Sequence, residues 1–416
     1  MPDRLYLDHA ATTPVTAAAR AAVVDGLARW ANPSSPHGEG RAARGALEAA
    51  RAEIAAAYRW TGEVLLTSGA SESLAIALGR ANVARRLASA VEHDAVFRAW
   101  PEAEVLAVGG DALLNPPRDG EGDVAASCDM PGACRSSEVG SQSEPWDAKR
   151  HVRGGSDLGD PLSPEPPPPR PVGAVPLPVP GRSEQRALYA VQWCNSETGV
   201  RQPIAAIAQA AHAAGHLLLV DAAQMPAGAD PDVAAHADFV ALSAHKRGGP
   251  PGVGALLVRD LATLAPTGGQ ERGYRPGTEN LPGALGYAAA LAEPEPLARW
   301  AALRARLDDA IDRSGGEIVA AASPRHPAIG SYRLPGVAQT TQLIRLDLVG
   351  VAVSAGSACA SGSLKPSHVL AAMGWGEAAA REVIRVSFGR DTSEAEVERF
   401  IAAWRAMARA TRAFAA

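Results

Sequence analysis

A lysine and an aspartate that follow neighbouring apolar segments are the residues most suggestive of chemistry. Asp221 ends the apolar run at 216–220, and Lys246 follows the run at 239–242. In a parallel sheet both side chains would emerge at the carboxyl ends of the strands, where α/β proteins bind ligands. A pyridoxal phosphate site needs a lysine to form a Schiff base and an acid to pair with the pyridinium nitrogen. The spacing meets that requirement, although a surface lysine and a helix cap would also account for the pair.

The short turn at residues 68–71 is a second candidate. Its sequence, Ser-Gly-Ala-Ser, lies between an apolar run and a helical pattern. The N–H groups that open a helix have no intrahelical partners, and the helix dipole favours an anion there. The turn therefore predicts a phosphate site, with a serine-capped helix start as the alternative.

Cys359 is the third candidate because it lies in a run of ten small residues, 354–363, without charge or bulk. Such a run cannot hold itself rigid by packing, which predicts a mobile loop able to carry a thiol to and from a site. The other cysteines are Cys128, Cys134 and Cys194. Four irregularly spaced cysteines match neither a disulfide framework nor, with His151, a zinc site, so we expect a reducing compartment and no bound metal.

The elements that must hold these residues alternate between strands and helices. Short apolar runs predict strands at 64–67, 105–108, 187–191, 217–220 and 239–242. Helical spacing of apolar residues predicts helices at 41–60, 72–87 and 204–214. Nearly continuous apolar strands separated by helices predict an α/β fold with a mainly parallel sheet covered by helices on both faces.

The carboxyl-terminal part predicts a second, smaller unit. A long helix is expected at 296–313, and Ser393 with Glu396 forms a capping box ahead of another helix. The apolar face of that last helix carries Val397, Phe400, Ile401, Trp404 and Met407. We expect a small domain from residues 1–15 and 256–416, and a large cofactor-binding domain from residues 16–255.

A proline-rich stretch at 115–183 interrupts this pattern. It loses apolar periodicity and contains four consecutive prolines at 166–169. Extended or disordered chain is the expectation, because proline removes backbone donors and the scattered apolar residues cannot form a core. Its PxxP content would also suit an SH3-type ligand, but a spacer is the commoner reading of such composition.

Composition excludes several classes of protein. The chain has 416 residues, of which 47% are hydrophobic and 20% charged, so most of it should fold. A formal charge of −5 leaves no basic excess for a nucleic acid partner. An apolar run long enough to cross a membrane, or to form the core of a signal peptide, is not found, so we expect a cytoplasmic protein without a membrane partner.

Eight motifs in order along the chain resemble those of cysteine desulfurases, which are pyridoxal phosphate enzymes of the class V aminotransferase family. They lie at 6–14, 32–35, 67–73, 92–96, 220–224, 243–246, 275–278 and in the loop around Cys359. That loop is similar to the one in the group serving nitrogenase and general iron–sulfur cluster assembly. The resemblance covers residues 5 to about 405 outside the proline-rich stretch. It implies an aminotransferase-like large domain and a smaller α+β domain.

The motifs also imply a role for each residue that they match. Lys246 would form the Schiff base and move the proton at the substrate α-carbon. Cys359 would attack the sulfur of L-cysteine, leaving L-alanine and an enzyme persulfide. His93 would stack on the cofactor ring, and Asp221 would pair with the ring nitrogen. The other implied cofactor contacts are Ala70, Ser71, Ser196, Gln224, Ser243, His245 and, from the second subunit of a homodimer, Thr278.

The resemblance extends to substrate and partners. Asn32 and Arg385 match positions that hold the substrate carboxylate. An iron–sulfur scaffold or another sulfur-acceptor protein is the implied partner, and Cys359 could contact an iron–sulfur cluster during transfer.

Three features depart from the family pattern. Ser196 stands where a second asparagine is common, and Pro251 stands where a lysine is common. His93 and Ser196 are 103 residues apart, whereas the family pattern spans this distance in about fifty residues. Roughly fifty residues are therefore extra, and the entropy cost of closing such a loop grows only slowly with its length. They are either a tolerated surface excursion or an insertion that has removed a needed helix. A related lyase or aminotransferase, such as selenocysteine lyase, or a catalytically impaired homologue, remains the alternative function.

Overall fold

The computed structural model describes residues 4–109, 186–356 and 366–415, and these belong to one compact unit. Cys359, Cys128, Cys134, His151 and the whole of the 115–183 stretch lie outside the described residues. The predictions made for them therefore stay predictions.

The strands of the described chain are short and mostly buried. They are β1 (Leu5–Tyr6), β2 (Glu63–Thr67), β3 (Arg85–Ser89), β4 (Glu104–Leu106), β5 (Ala187–Gln192), β6 (Leu217–Asp221), β7 (Phe239–Ser243), β8 (Gly254–Val258), β9 (Glu317–Ile318), β10 (Ile329–Arg333), β11 (Val351–Ala352) and β12 (Val383–Ser387).

The helices vary more in length. They are α1 (Ala17–Ala28), α2 (Gly38–Ala57), α3 (Ala70–Arg80), α4 (Asp94–Ala99), α5 (Ile204–Ala213), α6 (Pro231–His236), α7 (Leu281–Leu291), α8 (Leu297–Arg313), α9 (Gln339–Leu348), α10 (His368–Ala372), α11 (Glu377–Ala380) and α12 (Glu394–Ala415). Single 3₁₀ turns occur at Ala244–Lys246, Leu261–Thr263 and Glu271–Gly273.

A seven-stranded sheet forms the centre, in the order β2-β8-β7-β6-β5-β3-β4. Its pairs are parallel except those that β8 makes with β2 and β7. Alternate residues of one strand belong to different apolar clusters: Tyr189 and Val191 of β5 pack with α2 and α5, whereas Leu188 and Ala190 pack with α3 and α4. The predicted parallel sheet, covered by helices on both faces, is confirmed.

One predicted helix is wrong in its second half. The helix expected at 72–87 ends at Arg80, and residues 85–89 form β3 instead. The chain turns at Ala81, whose backbone is extended, and the Asn82 N–H donates to the carbonyl of Thr263 at 2.8 Å. Arg85 and Arg86 are good helix formers, but pairing with β4 and β5 on both sides outweighs that local preference.

A second apolar cluster surrounds the three-stranded sheet β12-β10-β9. The predicted capping box is present, because the N–H of Ser393 donates to the Glu396 carboxylate at 2.7 Å and the N–H of Glu396 donates to the Ser393 hydroxyl at 3.3 Å. The apolar face predicted for α12 is buried in this cluster, and Leu5 and Leu7 from the amino terminus pack there too. The amino-terminal segment therefore reaches the carboxyl-terminal part of the chain.

Candidate active site

A cavity of about 400 Å³ opens at the carboxyl ends of β5, β6 and β7. Sheet register aligns Gln192 with Asp221 and Asp221 with Ala241, so these strand ends lie side by side. The predicted site residues that line the cavity are Ala70, Ser71, His93, Ser196, Asp221, Gln224, Ser243, His245 and Lys246. Residues from five separate segments of the chain are thus brought to one place.

Asp221 and His93 are two titratable residues in the lining of the cavity. Asp221 is 8% exposed and accepts a hydrogen bond from the N–H of Ala223 at 3.0 Å. Burial raises the pKa of Asp221, while the charges of His93 and Lys246 act in the opposite direction. Burial lowers the pKa of His93, and its Nδ1 accepts from the N–H of Ala95, which places the proton of the neutral ring on Nε2.

Lys246 ends the single 3₁₀ turn that follows β7. Its Nζ donates to the carbonyl of Ala10 at 2.5 Å, and the amide of Gln224 donates to the same carbonyl at 2.9 Å. The amino-terminal segment therefore fixes the lysine from 236 residues away. Ala10 lies in a motif that the sequence marked only by resemblance, and no local signal assigned it this contact.

The turn before α3 has the features of an anion site. Gly69 is the N-cap residue and supplies no side-chain cap, and the first residues of α3, Ala70 and Ser71, line the cavity. The predicted alternative, a serine-capped helix start, is therefore wrong. The N–H of Ser68 is bonded to the Glu72 carboxylate, which Arg275 holds at 3.1 Å.

Ser243 and His245 line the cavity together with this turn. Burial, followed by the charges of Lys246 and Arg247, lowers the pKa of His245 to about 4. The imidazole is therefore neutral near pH 7, and its Nδ1 lies 3.1 Å from the Thr12 hydroxyl. Thr12 is a second amino-terminal contact that sequence reasoning did not identify.

Three predicted residues lie away from the cavity lining. Asn32 is exposed, and its side chain accepts from the N–H of Ser34 at 2.8 Å. Thr278 is also exposed. Arg385 is buried in β12, where it donates to Asp8 at 2.6 Å and to the carbonyl of Ser196 at 2.9 Å. Arg385 is thus linked to the cavity by its hydrogen bond to the backbone carbonyl of Ser196, which lines the cavity.

Two of the three departures from the family pattern lie within the described residues. Ser196 and Pro251 both line the cavity, and Pro251 is exposed.

The mobile loop predicted at 354–363 starts later than its composition indicates. Ser354 and Ala355 are buried, and Ser354 exchanges backbone hydrogen bonds with Arg385. Pairing with a core strand orders these small residues where side-chain packing cannot.

The fold and cavity define an α/β protein of the aminotransferase-like class, in which a lysine and a buried aspartate meet near an uncapped helix start. The aminotransferase class-V family model matches residues 5–108 and 181–400. The chain belongs to this family.

Curated relatives agree with that assignment, and a solved structure shares the fold. A cysteine desulfurase of Gluconacetobacter diazotrophicus is 34% identical over 95% of this chain and 91% of its own length. A cysteine desulfurase of Cereibacter sphaeroides is 33% identical over 96% of this chain and 94% of its own. A NifS-like protein from Rickettsia africae shares the fold, with a TM-score of 0.73 at 23% identity over 97% of this chain and 98% of that one.

Proposed function

We propose that this chain is a cysteine desulfurase, which converts L-cysteine to L-alanine and transfers the sulfur to Cys359 as a persulfide. The observation that carries the proposal is the meeting of Lys246, Asp221 and the start of α3 in one cavity. The full-length relatives named cysteine desulfurase support the choice of reaction within the family.

The residues present fit pyridoxal phosphate. Asp221 is a buried carboxylate whose charge is disfavoured by burial, so a cationic ring nitrogen would compensate it. The N–H groups of Ala70 and Ser71, with Ser243 and His245, would hold the phosphate. Lys246 would attach the cofactor covalently, and His93 and Gln224 would contact its ring. When bound, this group supplies an electron sink that lets the substrate Cα–H and Cβ–S bonds break.

The chain's own groups would then move protons and hold the substrate. The Lys246 amine would take the proton from the substrate Cα and return one to Cβ. The carbonyl of Ala10 limits the positions that this amine can adopt. Arg385, with Asn32, would hold the substrate carboxylate, and Asp8 keeps the guanidinium oriented.

Cys359 would accept the sulfur. Its thiolate attacks the substrate sulfur, an S–S bond forms and the Cβ–S bond breaks. The electron pair of the broken bond is protonated at Cβ, so L-cysteine and a thiol give L-alanine and a persulfide. This step requires a reduced thiol, and we therefore propose a reducing compartment such as the cytoplasm. A homodimer, in which Thr278 reaches the partner's phosphate site, and a sulfur-acceptor protein for iron–sulfur cluster assembly complete the proposal.

The visible spectrum of the purified protein, before and after addition of L-cysteine, tests this function. We expect a yellow protein that releases L-alanine and carries one added sulfur on Cys359 by mass spectrometry. Lys246→Ala should lose covalent attachment and turnover while keeping its fold, and Cys359→Ser should bind L-cysteine but form no persulfide. Cys194 is the control for the site of the added sulfur, because burial raises the pKa of its thiol to about 12 and Cys194→Ala should still form the persulfide on Cys359.

Other results would favour the alternatives. Parental turnover by Cys359→Ser would indicate a lyase that needs no sulfur-accepting thiol. Turnover at the parent rate by Lys246→Ala would contradict the role of Lys246 in attaching the cofactor and moving the proton. Purified protein without cofactor would indicate an impaired homologue.

A further inference from the structure

Glu197 carries a buried carboxyl group directly beside the cofactor cavity. The proposed function gives this residue no role. Its neighbour Ser196 lines the cavity, whereas Glu197 is 8% exposed and lines a separate, small cavity with Gly356 and Ser367. Its backbone is held at both ends: the N–H donates to the Asn195 side chain at 2.9 Å, and the carbonyl accepts from the Ser331 hydroxyl at 2.6 Å. The position of this side chain is therefore tightly determined.

Ser367 makes a directional bond to Glu197. Its hydroxyl accepts from the N–H of Leu370 at 3.1 Å as the N-cap of α10, and it donates to Oε2 of Glu197 at 2.5 Å. A hydroxyl has one proton to donate. The Leu370 N–H occupies one acceptor position of the Ser367 oxygen. The hydroxyl proton of Ser367 is therefore available for the Glu197 carboxylate.

Gly356 packs against the same side chain from the other direction. A Cβ atom added to Gly356 would lie 2.9 Å from both Cβ and Cγ of Glu197 and 3.0 Å from Oε2. These distances are shorter than ordinary carbon contacts. The backbone of Gly356 thus approaches Glu197 as closely as only glycine permits.

We propose that Glu197 is a positioning residue for Cys359, which holds both flanks of the Cys359 segment, at Gly356 and Ser367, against the wall of the cofactor cavity. The inference rests on the proposed function, since it concerns delivery of the Cys359 thiol. Gly356 precedes Cys359 by three residues in the sequence, and Ser367 follows it by eight. An anchor at each end restricts the places that the thiol can reach.

Charge and burial agree with this role. Burial raises the pKa of Glu197, while the Ser367 hydroxyl and the charges of His368 and Arg385 act in the opposite direction. Both the ionised and the neutral carboxyl can accept from Ser367, as can the amide oxygen of glutamine. The anchor therefore depends on a side chain of the right length that carries an acceptor oxygen at position 197, and it does not depend on a charge.

The test compares Glu197→Ala, Glu197→Gln and Ser367→Ala in the cofactor-loaded enzyme. In Glu197→Ala we expect persulfide formation on Cys359 to slow by about tenfold or more, since small displacements of a reacting group cost that much. The spectral change on adding L-cysteine should keep its midpoint concentration, because cofactor and substrate groups are untouched. Glu197→Gln should stay within about threefold of the parent rate, and Ser367→Ala should resemble Glu197→Ala.

Glu382→Ala is the matched control. Glu382 is also a mostly buried carboxylate, which accepts from Arg333 at 2.8 Å and from the N–H of Gly336 at 2.9 Å. It should lower stability without changing the persulfide rate. In the double variant Glu197→Ala/Ser367→Ala, the two effects on the rate should not add, because both remove one bond.

Two results would overturn the proposal. One is a parental persulfide rate in Glu197→Ala and Ser367→Ala. The other is loss of the cysteine-induced spectral change in step with the rate, which would mean that Glu197 only supports the cavity wall. If Glu197→Ala fails to fold, Ser367→Ala decides alone. A parent enzyme that forms no persulfide contradicts the proposed function instead, so the two failures are distinguishable.

Discussion

His245 and Lys246 are neighbours in the chain, and the ammonium of the lysine disfavours a second positive charge on the imidazole. Burial, followed by this charge and that of Arg247, lowers the pKa of His245 to about 4. An unfolded chain has no such environment, and its histidines titrate near about 6.5. The difference links the protonation of this site to the stability of the fold.

This linkage predicts how stability depends on pH. Between about pH 4 and 6.5 the unfolded chain binds more protons at His245 than the folded chain, so the unfolding free energy rises with pH. His245→Gln should flatten that slope in urea unfolding of the cofactor-free protein between pH 4.5 and 7, with some slope remaining from other buried histidines such as His9. His236→Gln, at an exposed position, is the control. An unchanged slope in His245→Gln would contradict the prediction.

The turn Glu271–Gly273 shows how an element can be held in an unfavourable conformation. Glu271 and Arg272 have φ values of 47° and 57°, in the left-handed region that non-glycine residues rarely adopt. Glu271 is buried, accepts from Arg51 at 2.7 Å and accepts from the N–H of Leu66 in β2 at 2.8 Å. These bonds join the turn to the strand that leads into α3, and they offset its backbone strain.

Breaking this ion pair should therefore be costly. Glu271→Gln would leave the Arg51 guanidinium, whose side chain is 10% exposed, with only the more exposed Glu48 as a charged partner. We expect a loss of about 3 kcal/mol in the free energy of unfolding by urea. The matched control is Glu377→Gln, which breaks an exposed pair with Arg381 and should cost less than about 0.5 kcal/mol. Equal losses in the two variants would show that the turn is not held by this pair.

The connection between β4 and β5 is a constraint on the whole molecule. Both strands pair in parallel with β3, on its opposite sides. The chain must therefore return from the carboxyl end of β4 to the amino end of β5, and such a crossover needs about a dozen residues or more. The residues from 110 to 185 contain this return, and their number far exceeds the minimum.

This constraint makes the length of the insertion testable. Replacing residues 110–185 with a Gly/Ser linker of about 15 residues should keep cofactor binding and dimerisation, whereas a linker of about 4 residues cannot complete the crossover and should prevent folding. Cofactor absorbance and size-exclusion chromatography measure the outcome. Loss of the cofactor in the longer-linker variant would mean that the stretch includes packed structure, in place of the surface excursion that its composition predicts.

Local sequence patterns were sufficient for the strands β5, β6 and β7 and for the residues at their ends. Each of these strands is a continuous apolar run, and Asp221 and Lys246 follow two of them directly. Because strands in a parallel sheet end at one edge, the pattern alone indicated that these side chains lie together. The α12 face and its capping box were equally readable, since both depend on neighbours within a few residues.

Contacts between distant segments were decided by the tertiary structure. Ala10 contacts Lys246, and Asp8 contacts Arg385 across 377 residues. Both contacts form because the amino-terminal segment packs with β12 in the second apolar cluster, next to the lysine that follows the central sheet. The end of α3 at Arg80 has the same cause, because pairing with two strands remote in sequence overrides the helix preference of Arg85. Periodicity reports which face of a segment is apolar, whereas strand register selects the distant segment that covers it.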